Sequence, residues 1–577
     1  MILQALVKRY EDTKTVPLGW KKRAVSYALD ISEDGKLLGV LPLEEEVERQ
    51  IGGKLKKIMQ KREFILPEPP VRSSGIKEAF LCDDASYLFG MDEKRGKEKF
   101  EANKKLHHHA LENFNCPVSN AIKAWFSAGI TGEFEQYIGK IIPEKEISKA
   151  SFVFQINGEF ADYKNINMRN AWNAHSSVAE ENQNERIRCL VTNKLDTPER
   201  IHGKIKLRGG QSAGSNLISI NAESFASYGK TASDRAADIG KYAAFAHVTA
   251  LNDLLNDEKQ RKFIGGDTLV YWTEENSRVE IETFNNYWDI QPTENDSEKL
   301  TTIIEKIANI RHFDIEGCKM ERPFYLLCLS PNAARISVRF FYTATFGEII
   351  NNLMNHYRNM DIVGDNIRKF THLPHWIILN ETTSVPKESK KVTPLLGGQF
   401  VKSILSGTPY PQTLYNAILV RIRSGEEINK TKAAVIKAVL IKNYNEVEVT
   451  KVSLNKQTSN KPYVLGRLFA VLEQLQYKAA GGGLNATIRD KYFASACANP
   501  SSVFPTLLKL SMHHAAKLDN SVFFEKLKGE LLAKLDAESP FPVTLGLDDQ
   551  GKFILGYYHQ KQDFFTKKEN KTEDESQ

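Results

Sequence analysis

The hydrophobic pattern of this 577-residue chain changes period once, at a polar, proline-bearing stretch over 381–394. Ahead of it, short alternating segments dominate, the period-2 pattern of half-buried strands. Val25–Ile31 alternates and meets the turn signal Glu33-Asp34-Gly35-Lys36, which predicts a hairpin. Ser151–Ile156 is followed by Asn157-Gly158, a second strand and turn. Ile187–Thr192 reads as a strand leading towards a glycine-rich loop, and a helix is predicted over Asp234–Leu255. Pro323–Ser330 reads as a buried strand, and Ala334–Tyr342 alternates ahead of a helical stretch at Phe346–Tyr357. This is the pattern of an α+β fold with antiparallel pairing.

After the polar stretch the spacing is helical. Leu465, Leu468, Phe469, Leu472 and Leu475 recur on one face, with Arg467 and Lys478 off it. Phe523, Leu527, Leu531 and Leu535 follow the same rule, with Glu530 and Lys534 spaced as an i,i+4 pair. Several such faces bury each other best in a helix bundle. The expected organisation is an α+β domain over 1–395, a helical bundle over 396–565 and a disordered, charged tail over 566–577.

Within the first part, one loop stands out chemically: Lys206-Leu207-Arg208-Gly209-Gly210-Gln211-Ser212-Ala213-Gly214-Ser215-Asn216. No acidic residue occurs between Glu199 and Glu223, while Lys204, Lys206 and Arg208 add positive charge. Glycine lets such a backbone approach a polyanion closely. The amides of Gln211 and Asn216 can donate to and accept from a base edge. Gly210-Gln211-Ser212-Ala213-Gly214 also fits the G-x-S-x-G pattern of a nucleophilic serine. That elbow needs a helix directly after the serine. Leu217, Ile218 and Ile220 read instead as a strand, and the helical signal (Ala236, Ala237, Ile239, Ala243, Ala244, His247) comes later.

Net charge is only +6, so the location of the cations matters more than their sum. Lys461–Leu535 holds ten Lys/Arg against five Asp/Glu, and Pro411–Asn443 six against two. Basic faces interleaved with Tyr477, Tyr492 and Phe493 suit a single-strand backbone with some base stacking.

Other classes find less support. The opening Met1–Tyr10 turns charged too soon for a secretory signal, and no run approaches the about 20 apolar residues of a membrane span. A cytoplasmic location is expected. Six cysteines lie far apart without a C-x-x-C pair, against a zinc ribbon or disulfide scaffold. Consecutive His107-His108-His109 and His513-His514 point around a helix, and His372/His375 lacks a nearby carboxylate or thiol, so no metal site is expected. No Walker A or dinucleotide fingerprint occurs, and no cofactor or catalytic cluster is expected.

Several stretches together resemble the large subunit of the type I-C CRISPR Cascade, an RNA-guided DNA surveillance complex. They are Met1–Leu6 with Gly19-Trp20, Val71–Gly90, Arg208–Asn221 with Ser227-Tyr228-Gly229-Lys230, Tyr463–Glu473, Asn485–Phe493 and Leu555–Gln560. The resemblance implies a non-catalytic subunit that joins a guide RNA, repeated backbone subunits and a guide-end subunit. Such a subunit reads the short motif flanking a double-stranded DNA target, starts opening the duplex and holds the displaced strand. A helicase-nuclease recruited later cuts the DNA. The helical C-terminal part is similar to the small subunit, reported for relatives as a separate internal translation product.

On that basis Gln211 is expected to wedge or read a groove within the loop of Lys206, Arg208, Gly209, Gly210, Gln211, Ser212 and Asn216. The turn with Arg72, Ser73, Ser74 and Lys77 is expected to grip phosphates beside it. Arg421, Arg423, Arg467, Lys478, Arg489, Lys491 and Lys509 are the expected track for the displaced strand. Two other functions remain open at this point: a serine hydrolase built on Ser212, and a scaffold that only holds other subunits together.

Overall fold

The computed structural model describes residues 1–51, 54–70, 72, 75–92, 94–129, 138, 142, 144–147, 150–181, 185–220, 222–231, 235–288, 315–364, 372–383 and 393–565. The fold is α+β, with strands towards the N-terminus and helices towards the C-terminus. The chain forms two compact units. One comprises Met1–Gly203 with Ser219–Ala250, the other Lys204–Ile218 with Leu251–Gln577.

The first unit is built on a sheet in the order Leu37–Pro42, Tyr27–Ile31, Ser151–Ile156, Cys82–Asp84, with Glu159–Phe160 also paired to Ser151–Ile156. Both expected hairpins form. The Asn157-Gly158 turn has φ of 53° and 80°, which asparagine and glycine tolerate best. Tyr27–Ile31 and Ser151–Ile156 run parallel, a departure from purely antiparallel pairing. A parallel pair needs a long crossover. Part of that crossover is the helices Gly96–Ala110 and Pro117–Ala128, whose Phe100, Ile122 and Phe126 share a core with Phe152 and Phe154.

Two expected elements differ. Ile187–Thr192 is a strand only at Ile187–Arg188, folded back on Leu195–Asp196, so it does not run into the glycine loop. The helix expected from Asp234 starts at Lys241. Asp238 is tied to Lys230 and Arg235 at 2.9 and 2.6 Å, and Gly240 bridges Pro198, which hold the chain out of helical geometry. Asp196 then accepts from the Tyr242 N–H at 3.1 Å and supplies the missing helix-end partner.

The second unit contains an antiparallel meander, Arg261–Ile264, Asp267–Thr273, Pro323–Asn332 and Arg335–Thr345, followed by the helix Phe346–Met360. The helices from Pro394–Leu405 to Leu547–Phe565 share one continuous core with this sheet, from Ile264 to Tyr558. The chain therefore divides differently from the expected boundary at 395/396. Leu326 and Phe324 on the sheet and Phe400 and Val401 beyond the boundary are all buried in that one core.

The helix Lys461–Ala479 buries Leu465, Leu468, Phe469, Leu472 and Leu475 as its spacing predicts. It crosses Leu547–Phe565 at reciprocal glycines: a Cβ on Gly466 would meet the Phe553 carbonyl oxygen, and one on Gly556 the Tyr463 carbonyl oxygen. The expected stripe from Phe523 to Leu535 is core only at its far end. Leu531 is buried, but Phe523 is 59% exposed. Its helix ends at Leu532, so Lys534 donates to the carbonyls of Lys456, Gln457 and Thr458 at 2.7–3.3 Å rather than pairing along a helix with Glu530.

No helix among the described residues is long and apolar enough to cross a membrane. The expected tail, 566–577, lies outside the described residues.

Candidate nucleic-acid interface

The glycine loop is closed by a single antiparallel bridge. Ile205 and Ser215 exchange both backbone hydrogen bonds at 2.9 Å. Inside it, two successive turns form, with the Gly210 N–H donating to Leu207 at 3.0 Å and the Gly214 N–H to Gln211 at 2.9 Å. Gly209 and Gly214 have φ of 78° and 85°, a region that penalises any side chain. A Cβ on Gly214 would also lie 2.9 Å from the Lys204 Cβ.

The loop base is fixed to its own unit. The Ser215 hydroxyl donates to the Ala333 carbonyl at 3.0 Å, Asn216 bridges Arg335, and the Lys206 N–H donates to Asn252 at 3.1 Å. The segment 217–220 forms no strand, against expectation; its β-forming residues have no partner strand beyond the Asn216–Arg335 bridge.

This frame leaves Lys206, Arg208, Gly209, Gln211 and Ser212 exposed, with Gly210 half-buried. Among the described residues no carboxylate forms an ion pair with Lys206 or Arg208. Asn216 is a correction: it is buried, and its side-chain oxygen accepts from the Lys204 ammonium at 2.5 Å, so it braces the loop instead of reading bases. The elbow context around Ser212 is absent. Residues 213–220 are turn, bridge and bend, with no helix directly after the serine.

Arg72 and Lys77 belong to the other unit. Arg72 is not a free phosphate grip. Its guanidinium donates to both oxygens of buried Asp83 at 2.6 Å and to Asp84 at 3.1 Å, and lies 4.1 Å over the Tyr87 ring. It also donates to the Lys77 carbonyl at 2.8 Å, closing the turn on itself. The Lys77 N–H donates to the Tyr87 hydroxyl at 3.1 Å. Ser73 and Ser74 lie outside the described residues.

The expected strand track separates into two groups. Arg467 is buried and donates to Gln560 at 3.1 Å. Arg421 pairs with Glu426 at 3.6 Å, Arg489 donates to the Glu426 carbonyl at 2.5 Å, and Arg423 is bonded to the Gln550 side-chain oxygen. Only Arg467 of these four is inside the fold; Arg421 and Arg489 are half-buried and Arg423 is exposed, each engaged by a neighbouring group. Lys478, Lys491 and Lys509 are exposed, and among the described residues no carboxylate pairs with them.

Part of the positive charge counted over Pro411–Asn443 is interior too, with Lys432 and Lys437 buried. Lys432 pairs with Glu381 and Glu426 at 3.0 and 3.2 Å. Lys437 and Lys442 donate to backbone carbonyls at 3.1 and 2.8 Å, and burial pulls both ammonium groups down to about 8.

His107 is a core residue. Its Nε2 accepts from the Leu81 N–H at 3.0 Å, and its Nδ1 meets the Asn103 carbonyl at 2.9 Å. Among the described residues no three His, Cys, Asp or Glu side chains gather as a metal cluster.

One aromatic in the site carried no sequence signal. Phe263, 41% exposed, lies under the Arg208 guanidinium at 4.4 Å. It stands in a four-residue strand more than fifty positions downstream of Arg208, so no local pattern joins the two.

What remains at the surface is a rigid, acid-free, cationic loop with amide and hydroxyl groups at its tip, beside an aromatic ring. Such a surface suits a polyanion carrying flat bases. A search of curated proteins finds no match. Residues 3–565 match the model of one family, described as CRISPR-associated protein (Cas_Csd1). That match takes in the glycine loop, the Arg72 turn and the helical core alike, and the chain belongs to this family of CRISPR-associated proteins.

Proposed function

We propose that the chain is the non-catalytic large subunit of a type I-C RNA-guided DNA surveillance complex in the cytoplasm. Its partners are the guide RNA, the double-stranded target, the backbone, guide-end and small subunits, and a helicase-nuclease. Guide pairing reads the target sequence, so the protein need read only the short flanking motif and start the opening. Duplex stacking is about 1.4 kcal/mol per base step, and heteroduplex formation offsets it as pairing advances. The protein therefore has to stabilise only the first unpaired step and retain the displaced strand.

The observation that carries this function is the braced glycine loop, with Arg208 and Gln211 exposed in a segment free of acids. A base reader must be rigid, and the Ile205–Ser215 bridge with the Ser215–Ala333 bond supplies that. Lys478, Lys491 and Lys509 are the cations left for the displaced strand.

The test uses the assembled complex with matched guide on duplexes carrying every flanking triplet at fixed salt. Wild type should prefer a few triplets, and Gln211→Ala should lose that preference or fail to open the duplex. Preference surviving intact in the variant would remove Gln211 from the reader. No preference in wild type would leave the scaffold role. Labelling of Ser212 by a fluorophosphonate, lost in Ser212→Ala, would favour a hydrolase instead.

A further inference from the structure

Phe263 occupies a position that needs a physical reason. Among the described residues its strand, Arg261–Ile264, pairs only with Asp267–Thr273 and forms the edge of the sheet. Ile264 turns inward and is 2% exposed, which turns Phe263 outward. An exposed aromatic on a sheet edge invites unwanted pairing unless something covers or uses it. Here two guanidiniums gather on the ring, Arg208 at 4.4 Å and Arg261 at 5.4 Å, both within cation–π range.

The two arginines are not equivalent. Arg261 is fixed, bonded to the Leu255 carbonyl and paired with Glu258 at 3.4 Å. Arg208 projects from the tip of the glycine loop, and among the described residues no carboxylate pairs with it. It can leave the ring for a phosphate at small cost, since a cation–π contact at an exposed site is weak. The vacated face then accepts the flat face of a base.

We propose that Phe263, flanked by Arg208 and Arg261, is a stacking platform for one unpaired nucleobase of a strand whose phosphates follow Lys206, Arg208 and the glycine loop. The platform rests on the nucleic-acid role proposed above and adds to it a contact that is indifferent to base identity. Every base has a π-face, so such stacking tolerates any sequence. Gln211 at the loop tip would supply selectivity, and Phe263 would supply retention.

The test is photocrosslinking in the assembled complex, with 5-iodouracil placed at successive positions of the displaced DNA strand in one arm and of the guide RNA in the other. Wild type and Phe263→Trp should crosslink within 261–264. Phe263→Leu, which keeps apolar bulk and removes the flat face, should lose the crosslink. It should also weaken single-strand affinity about five- to a hundredfold. The arm that crosslinks identifies the strand. No crosslink to 261–264 in either arm, or Phe263→Leu binding like wild type, overturns the platform. Arg208→Ala separates the two ideas. If it weakens nucleic-acid binding while Phe263→Leu does not, only the platform fails. If neither variant changes binding, the nucleic-acid role of the loop fails with it.

Discussion

Arg72 is held by a carboxylate that has nowhere else to go. Asp83 is buried, and besides Arg72 it accepts the N–H groups of Ala79 and Asp84 at 2.9 and 2.8 Å. Burial pushes the Asp83 carboxyl up, and the Arg72 guanidinium opposes that by favouring its charge. Removing Arg72 leaves the carboxylate desolvated and short of its main partner, a costly state for a buried charge. Arg72→Ala should therefore destabilise the first unit by about 2–4 kcal/mol in urea unfolding. With the fold restored by milder conditions, nucleic-acid affinity should change little. A variant as stable as wild type but weak on DNA would return Arg72 to the phosphate-gripping role. The sequence shows the arginine and both aspartates, but their pairing depends on a turn that brings positions eleven and twelve apart together. Residue type and charge run were readable in the same way for Arg467, Lys432 and Lys437. Their burial was not, because a long cationic side chain can lie along a helix face and end inside. Gln211 and Arg208 could be singled out because glycines and an acid-free neighbourhood are local signals, whereas Phe263 meets Arg208 only through the sheet edge.

Among the elements, the crossing of Lys461–Ala479 with Leu547–Phe565 accounts for two of the stretches that carry the family resemblance. The glycines permit backbone contact. Around them the Tyr463 hydroxyl meets His559 at 2.8 Å, Arg467 donates to Gln560 at 3.1 Å, and the Tyr557 hydroxyl donates to Glu473 at 2.6 Å. These motifs therefore build a helix interface, and their place in the chain says little about where nucleic acid binds. Gly466→Ala should destabilise the second unit by about 2–4 kcal/mol or stop it folding, since the new methyl meets a backbone carbonyl that cannot move aside. Gly529→Ala is the control. It lies in the helix Val522–Leu532 with nothing within 4 Å of a new Cβ. Its substitution should be neutral or stabilising by up to about 1 kcal/mol, from helix propensity alone. Equal effects of the two substitutions in urea unfolding would mean that the crossing is not this close. Helical spacing made Lys461–Ala479 legible from sequence, while Leu547–Phe565 was expected only as part of the bundle over 396–565. Their partnership was not legible, because periodicity identifies a buried face and not what buries it.

For the whole molecule, the same limit explains the misplaced boundary. A polar, proline-bearing stretch marks a break between elements, but whether cores are also separate depends on which apolar faces meet. Sheet and helices on either side of 395 share one core. Both units also bury histidines, and that gives the chain a common acid weakness. Burial holds His107 down to about 3 and His202 and His247 to about 4 in the first unit. In the second it holds His356 and His559 to about 3 and His372 to about 4. An unfolded histidine takes up its proton near pH 6.5. Between pH 6.5 and about 4 the unfolded chain thus binds more protons than the folded one, so stability falls as pH falls. Each buried imidazole contributes up to about 1.4 kcal/mol per pH unit in that window. Urea midpoints measured from pH 7.5 to 5.0 should be nearly constant above pH 7 and then drop steeply, in both units if their transitions separate. His559→Gln should flatten part of the slope, even if it lowers stability at pH 7 by disturbing the Tyr463 contact. A midpoint constant down to pH 5.0 would mean that these imidazoles charge in the folded state, which requires water or a carboxylate beside each ring. Neither unit's core could then be packed as tightly around them as the burial of these side chains implies.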